Sequence, residues 1–334
     1  MMKVFVSGGG GFLGQAIVKQ LVENDYEVVS YSRSKYEALE NIGVEHHQGD
    51  LTDYERLKTA MKGCEAVFHT AAKTGIWGSF DSFYQANVIG TENILQVCLE
   101  LKIPYLIYTS SPSVVYDGGS GGKDESMPYP PKFDAYYPET KAIAERAVLK
   151  ANGPSLISCS LRPHLIWGVG DPHFLPRFLE RRHKDKLRIL GNGKYLVDTT
   201  YVDNAARAHL QAFDAMRSHP TSVAGKAYFL SDDEPITIRS FIDRLLASGG
   251  LPPVKKSFHP RLALFAGYLL ERVYRFLGIK SEPPITPFLA KQLSTAHWYD
   301  ISAAKRDFGY EASVSIEEGM RRLKDWVGRS EDLG

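Results

Sequence analysis

The chain has 334 residues with 40 Lys and Arg against 39 Asp and Glu, so its formal net charge is +1. A net charge so close to zero gives no overall excess of positive charge that would attract a nucleic acid. We therefore expect no nucleic-acid partner. The length predicts about two domains or one large domain with a lobe, and the hydrophobic content of 43% is ordinary for a globular protein.

Short apolar runs alternate with helical patterns through the first half of the chain. Strands are predicted at Lys3–Ser7, Glu27–Ser32, Val44–Gln48, Ala66–Thr70 and Tyr105–Ser110. Helices are predicted at Gly14–Asn24, Tyr54–Lys62, Phe83–Leu101 and Tyr137–Leu149. This alternation predicts an α/β fold with a Rossmann-type, doubly wound parallel sheet. Because no signal-peptide pattern precedes the first strand, we expect a cytoplasmic protein.

The second half is less regular and points to a smaller C-terminal substrate lobe. We expect residues 1–168 to form mainly the dinucleotide-binding domain and residues 169–334 mainly the lobe. Late strands at about 198–202 and 227–230 are expected to return to the core. The apolar stretch Phe258–Leu277 is interpreted either as a helix that covers a core or as a hydrophobic lid that touches a membrane surface.

A glycine cluster at residues 8–14 lies between the first strand and the first helix. In that context Gly8 makes a tight turn, Gly11 allows close approach of a pyrophosphate, and Gly14 allows the helix to pack on the strand. The pyrophosphate then lies at the positive end of the helix. The alternative is a flexible surface loop.

The end of the second strand indicates which dinucleotide binds. An NAD enzyme usually has a carboxylate there for the ribose hydroxyls, but this chain has Ser32 and Arg33. A hydroxyl and a guanidinium suit a 2′-phosphate, so NADP(H) is favoured over NAD(H). The alternative is that Arg33 is only a solvated charge. Asp50 and Leu51, after the third strand, are placed to contact the adenine.

Tyr137 and Lys141 are predicted to lie on one face of a helix because they are four residues apart. A neighbouring ammonium is expected to lower the pKa of the phenol and fit it for proton transfer. Ser111 follows the fifth strand, where open parallel sheets bind ligands, and its hydroxyl suits a substrate carbonyl oxygen. The alternative is an ordinary surface pair. The histidines show no metal-ligand spacing, and we expect no metal.

Several motifs resemble the extended short-chain dehydrogenase/reductase family over nearly the whole chain. They are GGGGFLG at 8–14, GDL at 49–51, HTAA at 69–72, NVIGTEN at 87–93, TSS at 109–111, YPETK at 137–141 and LRPHLIWGVGD at 161–171. The resemblance implies that Ser111 and Tyr137 polarise the substrate oxygen and that Lys141 also holds the nicotinamide ribose. It further implies a homodimer and additional cofactor contacts from Phe12, Leu13, Ala71, Ala72, Asn87, Pro163 and Leu165.

Three longer motifs narrow this resemblance: AAKTGIWGSFDSFYQANVIGTEN at 71–93, YTSSPSVVYDG at 108–118 and DTTYVDNAARAH at 198–209. Through them the chain resembles the 3β-hydroxysteroid dehydrogenase branch of that family, and most of all the bacterial 2-alkyl-3-oxo acid (β-keto acid) reductases. This implies reversible conversion of a ketone to a secondary alcohol on a bulky apolar substrate that carries a carboxylate near the reacting carbon. Lys73 and His164 are the candidate cations for that carboxylate, with a solvated lysine and a packed core histidine as the alternatives. Trp77 is a candidate wall of the substrate site.

Two other functions remain open from the sequence. A nucleotide-sugar epimerase or dehydratase with bound NAD would need cations for a diphosphate, and Arg177, Arg181, Arg182 and Lys184 are available. A non-catalytic NADP sensor is the other alternative, although a sensor has no need for Ser111, Tyr137 and Lys141 together.

Overall fold

The computed structural model describes residues 1–172 and 174–329, so residues 173 and 330–334 of the predicted lobe lie outside the described residues. The strands are β1 (Lys3–Ser7), β2 (Glu27–Ser32), β3 (Glu45–Gln48), β4 (Ala66–His69), β5 (Tyr105–Thr109), β6 (Ser120–Lys123), β7 (Ile157–Pro163), β8 (Ile166–Trp167), β9 (Ile189–Leu190), β10 (Leu196–Val197), β11 (Thr200–Tyr201), β12 (Ala227–Leu230), β13 (Ile236–Thr237), β14 (Ser257–Phe258) and β15 (His297–Tyr299). The helices are α1 (Phe12–Glu23), α2 (Glu37–Glu40), α3 (Tyr54–Ala60), α4 (Phe80–Tyr84), α5 (Gly90–Leu101), α6 (Tyr136–Ala151), α7 (Phe174–His183), α8 (Val202–Ser218), α9 (Pro220–Val223), α10 (Ile238–Ser248), α11 (Pro260–Phe276), α12 (Pro287–Gln292), α13 (Ser302–Phe308) and α14 (Ile316–Arg329).

A seven-stranded parallel sheet in the order β12-β7-β5-β4-β1-β2-β3 forms the centre of the described chain. The strand order reverses beside β1, because β2 and β3 lie on one side of it and β4, β5 and β7 on the other. Open α/β sheets bind ligands at the carboxyl ends of the strands next to such a reversal. The predicted Rossmann-type, doubly wound α/β fold is confirmed.

Both faces of this sheet are covered by helices, as its apolar strands require. Val4 and Val6 of β1 belong to a core cluster with α1 and α8. Phe5, between them, points to the other face and packs in a cluster with α3, α5 and α6. This alternation follows from the two-residue period of a strand.

Two predicted elements differ from the structure. The helix predicted at Phe83–Leu101 is α4, a π-helical turn at Gln85–Ile89 and α5 in succession. Ser79 starts it earlier, because its hydroxyl accepts the Ser82 N–H as an N-cap. The strand expected at about 198–202 is β11, which pairs with β8 in a separate two-stranded sheet, whereas β12 does join the central sheet.

The remaining segments of the second half form a region around a four-stranded sheet, β13-β10-β15-β6, and a two-stranded sheet, β14-β9. The apolar stretch predicted at Phe258–Leu277 contains α11. Its inner face packs on α12 through Ala263 and Ala290, while Phe265 is 68% and Phe276 90% exposed. The stretch therefore covers a small core with one face and presents apolar side chains to the surface with the other.

A buried ion pair joins α6 to β7. Arg162 donates to the Glu145 carboxylate through Nε at 3.0 Å and Nη2 at 2.7 Å, and both side chains are almost fully buried. Tyr129 and Ser160 donate to the same carboxylate. Such a pair costs desolvation when formed but is strongly destabilising to break on one side only.

We therefore predict that Arg162→Met and Glu145→Met each lower the free energy of unfolding by about 3–5 kcal/mol, because each leaves one charge buried without its partner. The double variant is expected to lose clearly less than the sum of the two. Urea denaturation measures all three, with the exposed Arg321→Ala as a control that costs about 1 kcal/mol or less. Additive losses in the double variant would contradict the interpretation.

Candidate active site

The glycine cluster forms a cradle between β1 and α1. Gly8 has a φ of +71° and donates its N–H to Tyr31 O at 2.7 Å, and Gly11 donates to Gly8 O at 2.8 Å. A Cβ on Gly14 would lie 2.0 Å from Gly8 O, so a side chain cannot be accommodated there. Gly11 caps α1 without a side-chain hydrogen bond. The first N–H groups of the helix are therefore available to an anion such as a pyrophosphate.

Two residues beyond the glycines hold the cradle in shape. Ser32 accepts the Gly10 N–H at 3.0 Å, so its hydroxyl oxygen supports the loop and its proton stays free to donate. The ring of Tyr36 lies against Gly10, where a Cβ would approach it to 2.0 Å. Tyr36 could not be predicted from the sequence, where its only signal is an aromatic residue shortly after β2.

Arg33 is exposed directly after β2. Among the described residues, no hydrogen bond or ion pair holds its guanidinium, while the neighbouring Lys35 pairs with Glu40 at 3.4 Å. Burial alone would raise the pKa of Asp50, but hydrogen bonds from Thr52 and the nearby charge of Arg33 lower it overall. Leu51 is buried. The structure thus places Ser32, Arg33 and Asp50 at the same edge of the sheet as the cradle.

The segment after β4 packs directly against the cradle. A Cβ on Gly8 would lie 2.8 Å from Ala71 Cα, and the Ala71 N–H donates to Ser7 Oγ at 3.3 Å. His69, which the sequence analysis did not single out, bonds Ser7 Oγ at 2.6 Å and Thr91 Oγ1 at 2.9 Å. Its burial lowers its pKa to about 3, so the imidazole is neutral. The loop through Ala71 and Ala72 is therefore held beside the glycines.

Asn87 lies in the π-helical turn and connects this loop to α6. Its Oδ1 accepts the Lys73 N–H at 2.7 Å, and its Nδ2 donates to Lys73 O at 3.2 Å and to Thr140 Oγ1 at 3.0 Å. Turns of this type often mark functional sites. Asn87 thus holds the loop after β4 against the start of α6.

Lys141 is buried between α6 and the end of β5. Its ammonium donates to Thr109 O at 2.6 Å and lies 4.0 Å from the centroid of the Tyr108 ring. Burial lowers the pKa of Lys141 to about 7, against an opposite effect of Glu145. A lysine in this state changes its charge near neutral pH.

Tyr137 and Ser111 lie within hydrogen-bonding reach of each other at the carboxyl end of β5. Burial raises the pKa of Tyr137 to about 12, and the bond with Ser111 opposes this. The expected lowering of this pKa by Lys141 is not found, because burial is the largest influence on it. Ser111 also accepts the Ser113 N–H at 3.2 Å, which fixes its side chain.

Pro163 ends β7, the next strand of the sheet, and Leu165 follows it. Pro163 pairs with Leu230 at the end of β7, and Leu165 has a φ of +43°. Left-handed backbone at a non-glycine residue is strained and is often found at functional sites. Together with Gly8, Ala71 and Ser111, these residues follow the neighbouring strands β1, β4, β5 and β7 at one edge of the sheet.

His164 does not point to a free substrate position. Its Nδ1 bonds the Asp198 carboxylate, and its Nε2 lies 3.2 Å from Nδ1 of His297, whose Nε2 bonds Gln292 O at 2.7 Å. The residue is 6% exposed. With both ring nitrogens bonded to protein groups, it matches the packed core histidine of the alternative interpretation rather than a substrate contact.

Lys73 and Trp77 lie on the segment between β4 and α4. The Lys73 ammonium donates to Ser82 Oγ at 2.8 Å and lies 5.0 Å from the Phe83 ring centroid. Neither partner carries a charge, so the ammonium retains donors for an anion. Trp77 donates its indole N–H to Ile279 O at 3.1 Å, which joins this segment to the end of the α11 region.

The end of α11 reaches the start of α6, a contact that sequence periodicity does not reveal. Arg275 donates to the Tyr136 hydroxyl at 2.9 Å, and its guanidinium lies 5.3 Å from the Trp77 ring centroid. Arg275 of α11 thus contacts the start of α6 one residue before Tyr137.

None of the helices in the described part of the chain is long and apolar enough to cross a membrane. Residues 1–172 and 174–329 also contain no group of three or more His, Cys, Asp or Glu side chains arranged to hold a metal ion.

Comparison with solved structures shows the fold alone, because the sequence identities are low. UDP-glucuronic acid 4-epimerase from Bacillus cereus in complex with NAD superposes with a TM-score of 0.75 at 22% identity, covering 98% of this chain and 99% of that chain. The structure named gox2253 superposes with a TM-score of 0.78 at 22% identity, covering 98% of each chain.

Comparison with known sequences finds relatives of higher identity. A 2-alkyl-3-oxoalkanoate reductase of Stenotrophomonas maltophilia is 49% identical over 97% of this chain and 98% of its own length. A sterol-4-alpha-carboxylate 3-dehydrogenase (decarboxylating) of Mus musculus is 35% identical over 96% of this chain and 89% of its own length. The profile of the 3-beta hydroxysteroid dehydrogenase/isomerase family matches residues 5–260. The chain therefore belongs to the 3-beta hydroxysteroid dehydrogenase/isomerase family, and it is an oxidoreductase that acts on CH–OH groups.

Proposed function

We propose that this protein uses NADP(H) to interconvert a ketone and a secondary alcohol on a bulky apolar 3-oxo or 3-hydroxy substrate, of the 2-alkyl-3-oxo acid or sterol type. The observation that carries the proposal is that Ser111, Tyr137 and the buried Lys141 lie together near the carboxyl end of β5, close to the glycine cradle and next to the helix α11, which contacts Tyr136. The names of the relatives support the same substrate types.

The cradle fits a dinucleotide by its shape and charge. Side chains are excluded at Gly8 and Gly14, and the uncapped start of α1 presents N–H groups to a pyrophosphate. Phe12 and Leu13 form the first turn of that helix. Arg33 has free donors for a 2′-phosphate, which supports NADP(H) over NAD(H). When bound, a nicotinamide dinucleotide supplies the hydride acceptor or donor that the reaction requires.

Each of the three catalytic side chains has its own role in the reaction. In the reduction direction, the Tyr137 hydroxyl gives its proton to the substrate carbonyl oxygen, and Ser111 donates a hydrogen bond to the same oxygen. Lys141 keeps two N–H donors beyond the one bonded to Thr109 O, enough for the hydroxyls of a nicotinamide ribose. Lys141 is buried and the other two side chains are half-buried, so water screens their hydrogen bonds only in part.

A nucleotide-sugar substrate is less well supported by the cations of the lobe. Arg177 pairs with Glu282, and Lys184 pairs with Glu180. Arg181 donates to Pro284 O at 3.1 Å and Arg182 to Pro252 O at 3.3 Å. These side chains are engaged with the protein and would have to rearrange to bind a diphosphate.

The proposal includes three expectations about the protein's surroundings. We propose a homodimer, following the family resemblance, and a weak contact of the exposed face of α11 with a lipid surface, because Leu262, Phe265 and Leu269 are more than half exposed there. We also propose that the protein acts in the cytoplasm. Analytical ultracentrifugation measures the first expectation, sedimentation with lipid vesicles the second and cell fractionation the third.

Replacement of the catalytic phenol tests the reaction. Tyr137→Phe is expected to lower kcat at least about 100-fold, since a positioned general acid contributes at least that much, and to leave the Kd for NADPH unchanged. Tyr136→Phe is the matched control and should retain most of the activity. Retained turnover in Tyr137→Phe would contradict the mechanism. A wild-type protein that binds NADPH but reduces no 3-oxo acid, sterol ketone or UDP-sugar would instead be a sensor.

The choice of dinucleotide depends on Arg33. Arg33→Ala is expected to lower kcat/KM for NADPH about 10- to 100-fold, because a hydrogen-bonded charge is lost, and to leave the value for NADH nearly unchanged. Lys35→Ala, which removes a neighbouring cation already paired with Glu40, serves as the control. A wild-type protein that prefers NADH would overturn the NADP(H) proposal.

The carboxylate of the substrate is assigned to Lys73. Lys73→Ala is expected to raise KM for a 2-alkyl-3-oxo acid about tenfold or more, because a charge-assisted hydrogen bond is lost, and to change KM for its methyl ester little. Lys73→Arg should restore most of the affinity for the acid. Equal effects of Lys73→Ala on acid and ester would remove the assignment.

A further inference from the structure

Three buried polar side chains form a hydrogen-bonded chain beside the turn that follows β7. His164, Asp198 and His297 are 6%, 1% and 2% exposed. The Asp198 carboxylate bonds Nδ1 of His164, and Nε2 of His164 lies 3.2 Å from Nδ1 of His297. These three side chains are called the histidine chain below. The proposed reaction gives none of them a role.

The partner at one end of the histidine chain fixes the protonation of His297. A backbone carbonyl only accepts hydrogen bonds, so Nε2 of His297 carries the proton that it donates to Gln292 O at 2.7 Å. Burial and the nearby charge of His164 lower the pKa of His297 to about 3. His297 is therefore neutral, and its Nδ1 can only accept a hydrogen bond.

His164 must then donate from both of its ring nitrogens. Its Nε2 donates to Nδ1 of His297, and its Nδ1 donates to the Asp198 carboxylate, which only accepts. The other oxygen of that carboxylate accepts the Tyr299 N–H at 2.9 Å. An imidazole that donates from both nitrogens is an imidazolium. His164 thus carries a buried positive charge with Asp198 as its counter-ion, and such a partner is what a buried charge requires.

The backbone next to His164 is strained. Leu165 has a φ of +43°, and a non-glycine residue keeps such a conformation only where the surrounding structure enforces it. Thr200 holds the backbone of His164, since its hydroxyl accepts the N–H at 3.2 Å and donates to the carbonyl at 2.9 Å. The ring of His164 is held by Asp198 and His297, which lie on two other segments. The histidine chain therefore helps to enforce the strained turn.

The histidine chain also packs against the loop that carries Ser111. The ring of His297 meets the ring of Tyr116 edge-on, with the centroids 6.0 Å apart. Tyr116 lies shortly after Ser111, and its hydroxyl bonds Thr295 Oγ1 at 2.6 Å. The strands that precede the two loops, β5 and β7, are neighbours in the central sheet. The chain thus supports the two loops at adjacent strand ends.

We propose that His164 is a positioning residue, which as an imidazolium paired with Asp198 holds the turn Pro163–Leu165 in the shape that receives the nicotinamide end of the dinucleotide. The inference rests on the proposed function, because that function requires the dinucleotide. Both ring nitrogens of His164 are bonded to protein groups, so the residue acts through the turn. Its loss is expected to weaken dinucleotide binding and to leave proton transfer by Tyr137 intact.

NMR of the protein labelled with ¹⁵N in its histidine rings tests the charge at neutral pH without cofactor or turnover. His164 should show two ring N–H signals, which His164→Asn removes, and His297 should show one. His209 is the reference for a buried neutral histidine, because its Nδ1 donates to Ala205 O and burial lowers its pKa to about 4. Asp198→Asn should leave His164 with one signal, because the counter-ion is lost. One signal in the wild type, or two in Asp198→Asn, overturns the proposal.

Fluorescence titration with NADPH tests the positioning role. His164→Asn should raise the Kd for NADPH about tenfold or more, because binding must then also force the strained turn into shape. The kcat at saturating NADPH should change far less. The exposed His219→Asn is the control and should leave the Kd unchanged.

A second variant guards against misfolding of the first. His297→Phe keeps an aromatic ring and the pair of His164 with Asp198, so it should raise the Kd for NADPH by a smaller factor than His164→Asn. Unchanged Kd values in both variants, with circular dichroism showing that they are folded, overturn the proposal, as does a loss of kcat without a change in Kd. A wild-type protein that binds no NADPH would instead refute the proposed function, and the NMR result on the charge would stand.

Discussion

The buried ammonium of Lys141 constrains the whole site. An ammonium without water is costly, and the Thr109 carbonyl at the end of β5 and the face of the Tyr108 ring offset part of that cost. This contact fixes the start of α6 against the carboxyl edge of the sheet. Tyr137, one turn earlier on α6, is then held beside Ser111, which follows the same strand. The arrangement of the three proposed catalytic side chains therefore depends on this helix–strand contact and on the parallel sheet that brings neighbouring strand ends together.

Features that depend on neighbouring residues could be predicted from the sequence. The glycines between β1 and α1 are determined by local backbone geometry, since Gly14 must approach Gly8 O closely and Gly8 must adopt a positive φ. Helical spacing likewise placed Tyr137 and Lys141 on one helix, and alternating apolar runs predicted the parallel sheet. In each case the signal and the contact lie within one or two consecutive elements.

Features that depend on distant segments could not be predicted. His164 is attractive as a substrate cation because it follows a strand, but Asp198 and His297, from two other segments, occupy both of its ring nitrogens. The pKa of Tyr137 also depends on burial by the surrounding fold rather than on the lysine one turn away. The docking of α11 on Tyr136 joins residues far apart in the chain. The periodicity of the sequence cannot reveal such contacts, because they form only when distant segments have folded together.

The π-helical turn at Gln85–Ile89 sets the direction in which the Asn87 side chain points. Such a turn holds one residue more than an α-helix between the same two ends, and each residue of an α-helix rotates the chain by about 100°. The extra residue turns the amide of Asn87 toward the loop through Lys73 and toward Thr140. The direction of the amide depends on how far the helix has rotated at Asn87. A one-residue deletion anywhere in the turn would therefore misdirect the amide even if Asn87 itself were kept. This corner of the protein is therefore sensitive to a change in chain length as well as to replacement of Asn87, whose side chain makes all three hydrogen bonds.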